Sequence, residues 1–82
     1  MYSLEFTETA QKQFAKLERL VQERITRVLE RICTRPQSYL VRLVGEPLYK
    51  LRVGDYRLII SMDEGRLILL VIKVGHRKNV YN

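Results

Sequence analysis

Apolar and polar side chains alternate at the start of the chain: Tyr2, Leu4 and Phe6 are separated by Ser3 and Glu5, the period of two that a half-buried strand produces. From Thr7 the period changes. Thr7 is a suitable N-cap with Glu8 in the first turn, and Ala10, Phe14, Leu17, Val21, Ile25, Val28, Leu29 and Ile32 recur at steps of three and four as far as Cys33, the apolar stripe of an amphipathic helix. No Gly or Pro interrupts the stripe, so periodicity alone leaves one helix or two open. Length favours two. About 26 residues of unbroken helix would extend roughly 39 Å, against a radius of gyration near 13 Å for a compact domain of about 100 residues. A bend is expected between Glu18 and Val21.

Arg35-Pro36 closes the helical region, because proline restricts the residue before it and donates no backbone hydrogen bond. Residues 36–47, ending in Gly45-Glu46-Pro47, read as a loop. Strand patterns then run from Leu48 to Val53, from Tyr56 to Met62 and from Leu67 to Val74. Gly54-Asp55 fits a two-residue hairpin turn, and Asp63-Glu64-Gly65-Arg66 marks a second reversal. The expectation is one α+β domain over residues 1–82, with an N-terminal strand and a helical hairpin packed on a small, mainly antiparallel sheet. Eighty-two residues suffice for one core and exclude a second.

Hairpin register sorts the side chains. With Gly54 and Asp55 as the turn, Val53 faces Tyr56, Arg52 faces Arg57, Leu51 faces Leu58 and Lys50 faces Ile59. Alternation then places Tyr49, Leu51, Val53, Tyr56, Leu58, Ile60 and Met62 on the face that meets the helices, and Lys50, Arg52 and Arg57 on the other. Directly opposed arginines are destabilising, so an anion is the expected compensation; the alternative is that both splay into screened solvent. With Glu64 and Gly65 as the second turn, Ile72 falls beside Arg57 and Leu70 beside Ile59. The basic face is then partly apolar, and either forms a groove for a partner or is covered by the loop or the C-terminal segment.

Charge agrees with a basic interaction face. Fifteen Lys and Arg against nine Asp and Glu give a net charge of +6, with a pI near 9.8, which suits a polyanionic partner; a plain solubilising surface is the alternative. Cys33 is the only cysteine, which excludes an internal disulfide and a thiolate metal cluster and fits a reducing cytoplasm. The N-terminus lacks a secretory pattern, and the longest apolar run, from Leu67 to Ile72, is too short to cross a bilayer. The tail from Gly75 through His76, Arg77, Lys78, Asn79 and Val80 to Tyr81 and Asn82 leaves the last strand at a glycine and either folds over the basic face or is solvated.

Candidate chemistry narrows by elimination. His76 is the sole histidine, and Asp55, Asp63 and Glu64 fall in turns, so a metal centre lacks ligands. No glycine-rich loop with Lys-Ser or Lys-Thr supports nucleoside triphosphate chemistry. Cys33 lies on the apolar stripe and reads as a core residue. Metal-free RNA cleavage remains feasible, because the substrate supplies its own 2′-OH nucleophile. Arginine forks neutralise charge gathering on the phosphoryl oxygens. A lysine or tyrosine can take the 2′ proton only where neighbouring cations favour its neutral form, and Lys50 stands among Arg52 and Arg57.

The run from Leu48 through Tyr49, Lys50, Leu51, Arg52, Val53, Gly54 and Asp55 to Tyr56 and Arg57, followed by Val74-Gly75-His76-Arg77 and Val80-Tyr81, resembles the RelE/ParE superfamily of toxin–antitoxin toxins. The resemblance covers essentially the whole chain, and the Gly-His-Arg ending with a nearby tyrosine favours the RelE branch. It implies a strand, a helical hairpin and an antiparallel three-stranded meander, with the first strand added to the sheet. It also implies a cytoplasmic, ribosome-dependent endoribonuclease without a cofactor, which cuts messenger RNA at the decoding site and forms a hetero-oligomer with a cognate antitoxin. By position, Lys50 corresponds to a proton-transferring lysine. Arg57 and Arg77 correspond to phosphate-stabilising arginines, one of which also serves as acid toward the leaving 5′-oxygen. Tyr81 corresponds to a tyrosine that orients substrate or helps activate the 2′-OH, while Arg52, His76 and Lys78 fall to RNA binding. Two features depart from the pattern: a lysine that some members carry two residues before Lys50 is Leu48 here, and the step from Arg77 to Tyr81 is shorter than in some members. The alternatives are a ParE-like toxin that poisons a type II topoisomerase, or a catalytically weak member that only binds antitoxin or RNA.

Overall fold

The alternating start forms β1 (Ser3–Phe6) and the long apolar stripe forms two helices, α1 (Glu8–Ala15) and α2 (Arg19–Ile32). The structure, a computed structural model, describes residues 1–76. The expected contributions of Arg77, Lys78 and Tyr81 lie outside the described residues. Thr7 caps α1 as expected, its side chain accepting the Ala10 N–H at 3.1 Å. The bend falls at residues 16–18, at the N-terminal edge of the expected window. It needs no Gly or Pro because the Phe14 carbonyl, left over at the end of α1, accepts from Leu17 N at 3.1 Å and from Gln22 Nε2 at 2.9 Å. The longest extent of the fold is 33 Å, too short for the roughly 39 Å that 26 unbroken helical residues would need.

After α2 the chain makes a short 3₁₀ turn, Pro36–Ser38, and then a strand that the sequence did not reveal, β2 (Val41–Arg42). The expected loop over residues 36–47 is thereby corrected. Two exposed residues are too few to show alternation, and β2 is held only by pairing Val41 with Lys50 and Arg42 with Tyr49. β3 (Tyr49–Val53), β4 (Tyr56–Asp63) and β5 (Ile68–His76) complete a five-stranded sheet in the order β1-β5-β4-β3-β2. β1 runs parallel to β5 and the other pairs are antiparallel.

The first hairpin has the expected register, with Arg52 opposite Arg57 and Lys50 opposite Ile59. The second does not. Asp63 pairs with Ile68, so four residues rather than two make the connection. The Asp63 carboxylate accepts from Arg66 N at 3.0 Å and Arg66 Nε at 2.8 Å, and Leu67 takes a positive φ of 55°, which together open the turn. These bonds from Arg66 hold the Asp63 carboxyl below its ordinary 3.8. A further irregularity between Ile59 and Ile60 shifts the ladder again, so Arg57 faces Gly75 and Ile59 faces Lys73, not Ile72 and Leu70. The strand also continues past Gly75 to His76.

One face of the sheet meets the helical stripe. Ile25, Leu29 and Ile32 of α2 are fully buried with Leu58, Ile60, Leu69 and Val71, and Cys33 joins the same cluster. Burial, reinforced by Glu30, pushes the Cys33 thiol up, as suits a core residue. β1 accompanies β5 only as far as Val71. Beyond it α1 takes over the edge: Thr7 Oγ1 donates to Ile72 O at 3.1 Å, and Val74 N donates to Gln13 Oε1 at 2.8 Å. Backbone groups that would otherwise go unpaired are thus satisfied by helix side chains. No helix among the described residues is long and apolar enough to cross a membrane.

Candidate functional site

Gly54 sets the geometry of the outer face. Its φ is +60° while Asp55 is not in the positive region, the pattern of a type II′ turn, whose twist matches the flanking strands. In such a hairpin the residues bracketing the turn exchange the backbone hydrogen bonds. Arg52 and Arg57 then form the next, more closely spaced pair, with Cα atoms roughly 4.5 Å apart. Arg52 relieves the crowding by leaning toward the turn, where its Nε donates to Gly54 O at 3.2 Å. Arg57 is half-buried and its Nε is fully enclosed. Lys50, also half-buried, lies diagonally from Arg57 on the same face, at a backbone spacing of roughly 7–8 Å.

β2 covers β3 only at Tyr49 and Lys50, so the edge of β3 opens from Leu51 onward. There a cleft of about 410 Å³ is lined by Val28, Tyr39, Val41, Lys50, Leu51, Arg52 and Arg57, within the ≈ 300–1,000 Å³ span of ligand pockets. Its described lining is basic, aliphatic and aromatic. Lys12 pairs with Glu8, Arg19 with Glu23 and Arg66 with Asp63, all away from this cleft. Such a lining can hold phosphate oxygens on guanidinium forks and a base against an aromatic ring.

Of the sequence-predicted residues, the structure brings Lys50, Arg52 and Arg57 into one cleft. It adds Tyr39 and Val41, both exposed, which the featureless loop concealed. It also places Lys73, an exposed lysine opposite Ile59, on the basic face. The sequence held a signal for Lys73, since an apolar residue is due two positions after Val71 if alternation continues. Gly75 lies opposite Arg57 and contributes no side chain of its own beside the guanidinium. His76 instead pairs with Tyr56, their rings edge to face at 5.6 Å. By alternation that contact lies on the helix-facing side of the sheet, where Tyr56 packs against the core. No grouping of three or more His, Cys, Asp or Glu suited to a metal occurs among the described residues.

Comparison with known proteins gives a consistent set of relatives. A family model described as the ParE toxin of the type II toxin–antitoxin system parDE matches residues 4–81. The chain is 32% identical over 80 residues to the mRNA interferase toxin RelE of Escherichia coli, covering 94% of this chain and 84% of the relative. The toxin in the crystal structure of the intact E. coli RelBE toxin–antitoxin complex superposes with a TM-score of 0.79 at 32% identity, over 93% of this chain and 96% of that one. A chain of the archaeal RelE–RelB complex from Pyrococcus horikoshii shares the fold, with a TM-score of 0.80 at 21% identity over 96% and 98% of the two chains.

Proposed function

Because the chain belongs to the ParE toxin family of type II toxin–antitoxin systems, on the RelE branch of that superfamily, we propose that it is a ribosome-dependent endoribonuclease that cuts messenger RNA at the decoding site without a metal. The observation that carries this reading is the convergence of Lys50, Arg52 and Arg57 in one cleft beside the aromatic Tyr39. The scissile phosphate sits on Arg57, whose half-buried fork neutralises charge as the 2′-oxygen attacks and the bond to the 5′-oxygen breaks. Lys50 takes the 2′-OH proton. Arg52 holds neighbouring backbone, and Tyr39 offers its ring to a base. Lys73 adds positive charge across Ile59. By family position, Arg77 completes the charge clamp, one of Arg57 and Arg77 supplies a proton to the leaving oxygen, Tyr81 orients the nucleotide or helps activate the 2′-OH, and Lys78 adds an RNA contact. His76 serves RNA binding indirectly, by buttressing Tyr56 at the end of the hairpin.

The relative in the RelBE complex supports a hetero-oligomer with a cognate antitoxin, for which Tyr39 and Val41 offer an exposed apolar rim; we place that complex in the cytoplasm. The test is purified protein added to ribosomes programmed with a defined messenger. Cuts at the decoding-site codon are expected, falling about 10²–10³-fold in Arg57→Ala, the loss typical when one transition-state donor is removed. A thiophilic metal should not rescue a phosphorothioate at the cleaved position. Unchanged cleavage in Arg57→Ala, or inhibition of topoisomerase supercoiling in place of cleavage, would overturn the proposal.

A further inference from the structure

Gly54 is held between two guanidiniums from different layers of the fold. From β3, Arg52 Nε donates to its carbonyl at 3.2 Å. From α2, the guanidinium of Arg24 lies over its α-carbon: a Cβ built there would stand 3.1 Å from Nη1, 3.3 Å from Cζ and 3.5 Å from Nη2. Three nearly equal distances mean that the planar group lies flat on the glycine, with its N–H edges turned along the turn rather than into it. The turn favours glycine for its positive φ of +60°, and the absent side chain lets the guanidinium settle this close. Neither Arg24 nor Arg52 is paired with a carboxylate among the described residues. Asp55, the acid in the turn itself, is exposed and bridges to neither.

The helix extends the feature. At 100° per residue, Arg24, Arg27 and Arg31 of α2 fall within an arc of about 60°, with Glu23 and Glu30 beyond its far side. All three arginines are exposed. Positive charge therefore runs from the cleft, over the β3–β4 turn, and onto one flank of α2. That is longer than a single scissile nucleotide requires.

We propose that Arg24 and Arg52 form a second phosphate clamp at Gly54, gripping sugar–phosphate backbone outside the nucleotides that react. This rests on the RNA-cleaving reading and adds to it a site whose work is affinity rather than chemistry. Two guanidinium forks that meet one turn from different layers, neither paired with a carboxylate among the described residues, suit phosphate oxygens. The phosphates belong either to the messenger or to ribosomal RNA, and both present the same chemistry.

The experiment measures binding of wild type, Arg24→Ala, Arg24→Lys and Arg57→Ala over a salt series. One probe is a messenger oligonucleotide made uncleavable by a single 2′-deoxy substitution, and the other is ribosomes without messenger. Arg24→Ala is expected to weaken binding to at least one probe about five- to tenfold and to flatten the dependence of log K on log salt by about 0.7 for each phosphate it no longer neutralises. Arg24→Lys should keep the slope but regain only part of the affinity, because an ammonium cannot fork. In cleavage assays the loss should appear in KM and not in kcat. The probe that loses affinity names the source of the phosphates. Wild-type affinity and slope on both probes in Arg24→Ala, while Arg57→Ala still lowers cleavage about 10²–10³-fold, would overturn the clamp and leave the cleavage reading standing. So would a loss of antitoxin binding with RNA binding intact. Normal cleavage in Arg57→Ala would sink the underlying reading instead. Thermal melts of each variant separate these results from misfolding.

Discussion

Replacing Gln13 by leucine tests whether α1 holds the strand that shapes the site. Gln13 Oε1 accepts the Val74 N–H at 2.8 Å, and Val74 is 2% exposed, so water cannot take over the bond. Leucine preserves side-chain bulk and removes the acceptor. The loss is one net hydrogen bond together with the desolvation left on a buried donor, about 1–2 kcal/mol. For a chain of this size that corresponds to a fall in Tm of roughly 5–15 °C, read by circular dichroism and checked by a lower urea midpoint at unchanged m-value. Gln13→Glu should keep most of the stability, because a carboxylate oxygen accepts the same N–H. Val74 precedes Gly75, which lies opposite Arg57, so Gln13→Leu should also lower cleavage at temperatures where the protein remains folded. A Tm within about 1 °C of wild type would refute the reasoning. Equal damage from leucine and glutamate would do so too, since it would locate the effect in packing.

Two further outcomes follow from the charges. Arg52→Thr removes the like-charge pair across β3 and β4 and should raise stability by about 0.2–1 kcal/mol at low salt while weakening RNA binding; its advantage should shrink as salt rises, and an advantage independent of salt would disprove the repulsion. Asp63 has its carboxyl pKa lowered by Arg66, so its ionised form favours the folded state. The contribution is complete above the ordinary value of 3.8 and disappears as pH falls through the lowered one. Asp63→Asn should accordingly flatten the dependence of Tm on pH between about pH 5 and 2, and a profile parallel to wild type would count against the bond.

What could be read in the sequence was whatever a local rule governed. The stripe from Ala10 to Ile32 gave the helices their buried side, and Gly54-Asp55 admitted one turn geometry, from which the opposition of Arg52 and Arg57 follows by counting. The elements that escaped were settled by distant partners. β2 exists because Val41 and Arg42 find the edge of β3; the break between the helices was expected from length, and only its position at residues 16–18 rests on a longer reach, of Gln22 to the carbonyl of Phe14. Tyr39 and Val41 had no pattern to mark them, since a cleft formed where one strand stops short belongs to no single segment. The second turn was misplaced because Glu64-Gly65 satisfied a two-residue rule, whereas Asp63 gains more by bonding Arg66 across a wider loop.

The bulge in β5 decides what surrounds Arg57. Opening the turn from two residues to four shifts the ladder by an even number and leaves every side chain on its expected face. The irregularity between Ile59 and Ile60 shifts it by one more, and an odd shift exchanges faces for everything that follows. Core positions accordingly step from Leu69 and Val71 to Val74, all buried, where strict alternation would have put Lys73 in the core. The same exchange carries Lys73 to the basic face and brings Gly75, not Ile72, opposite Arg57. A bulky aliphatic there would stand beside the guanidinium, whereas glycine adds no side chain. The bulge is held where β1 ends, by Thr7 on Ile72 and Gln13 on Val74. Thr7, the N-cap of α1, and Gln13 within it therefore bond β5 at the bulge and just beyond it, where the residue opposite Arg57 is decided.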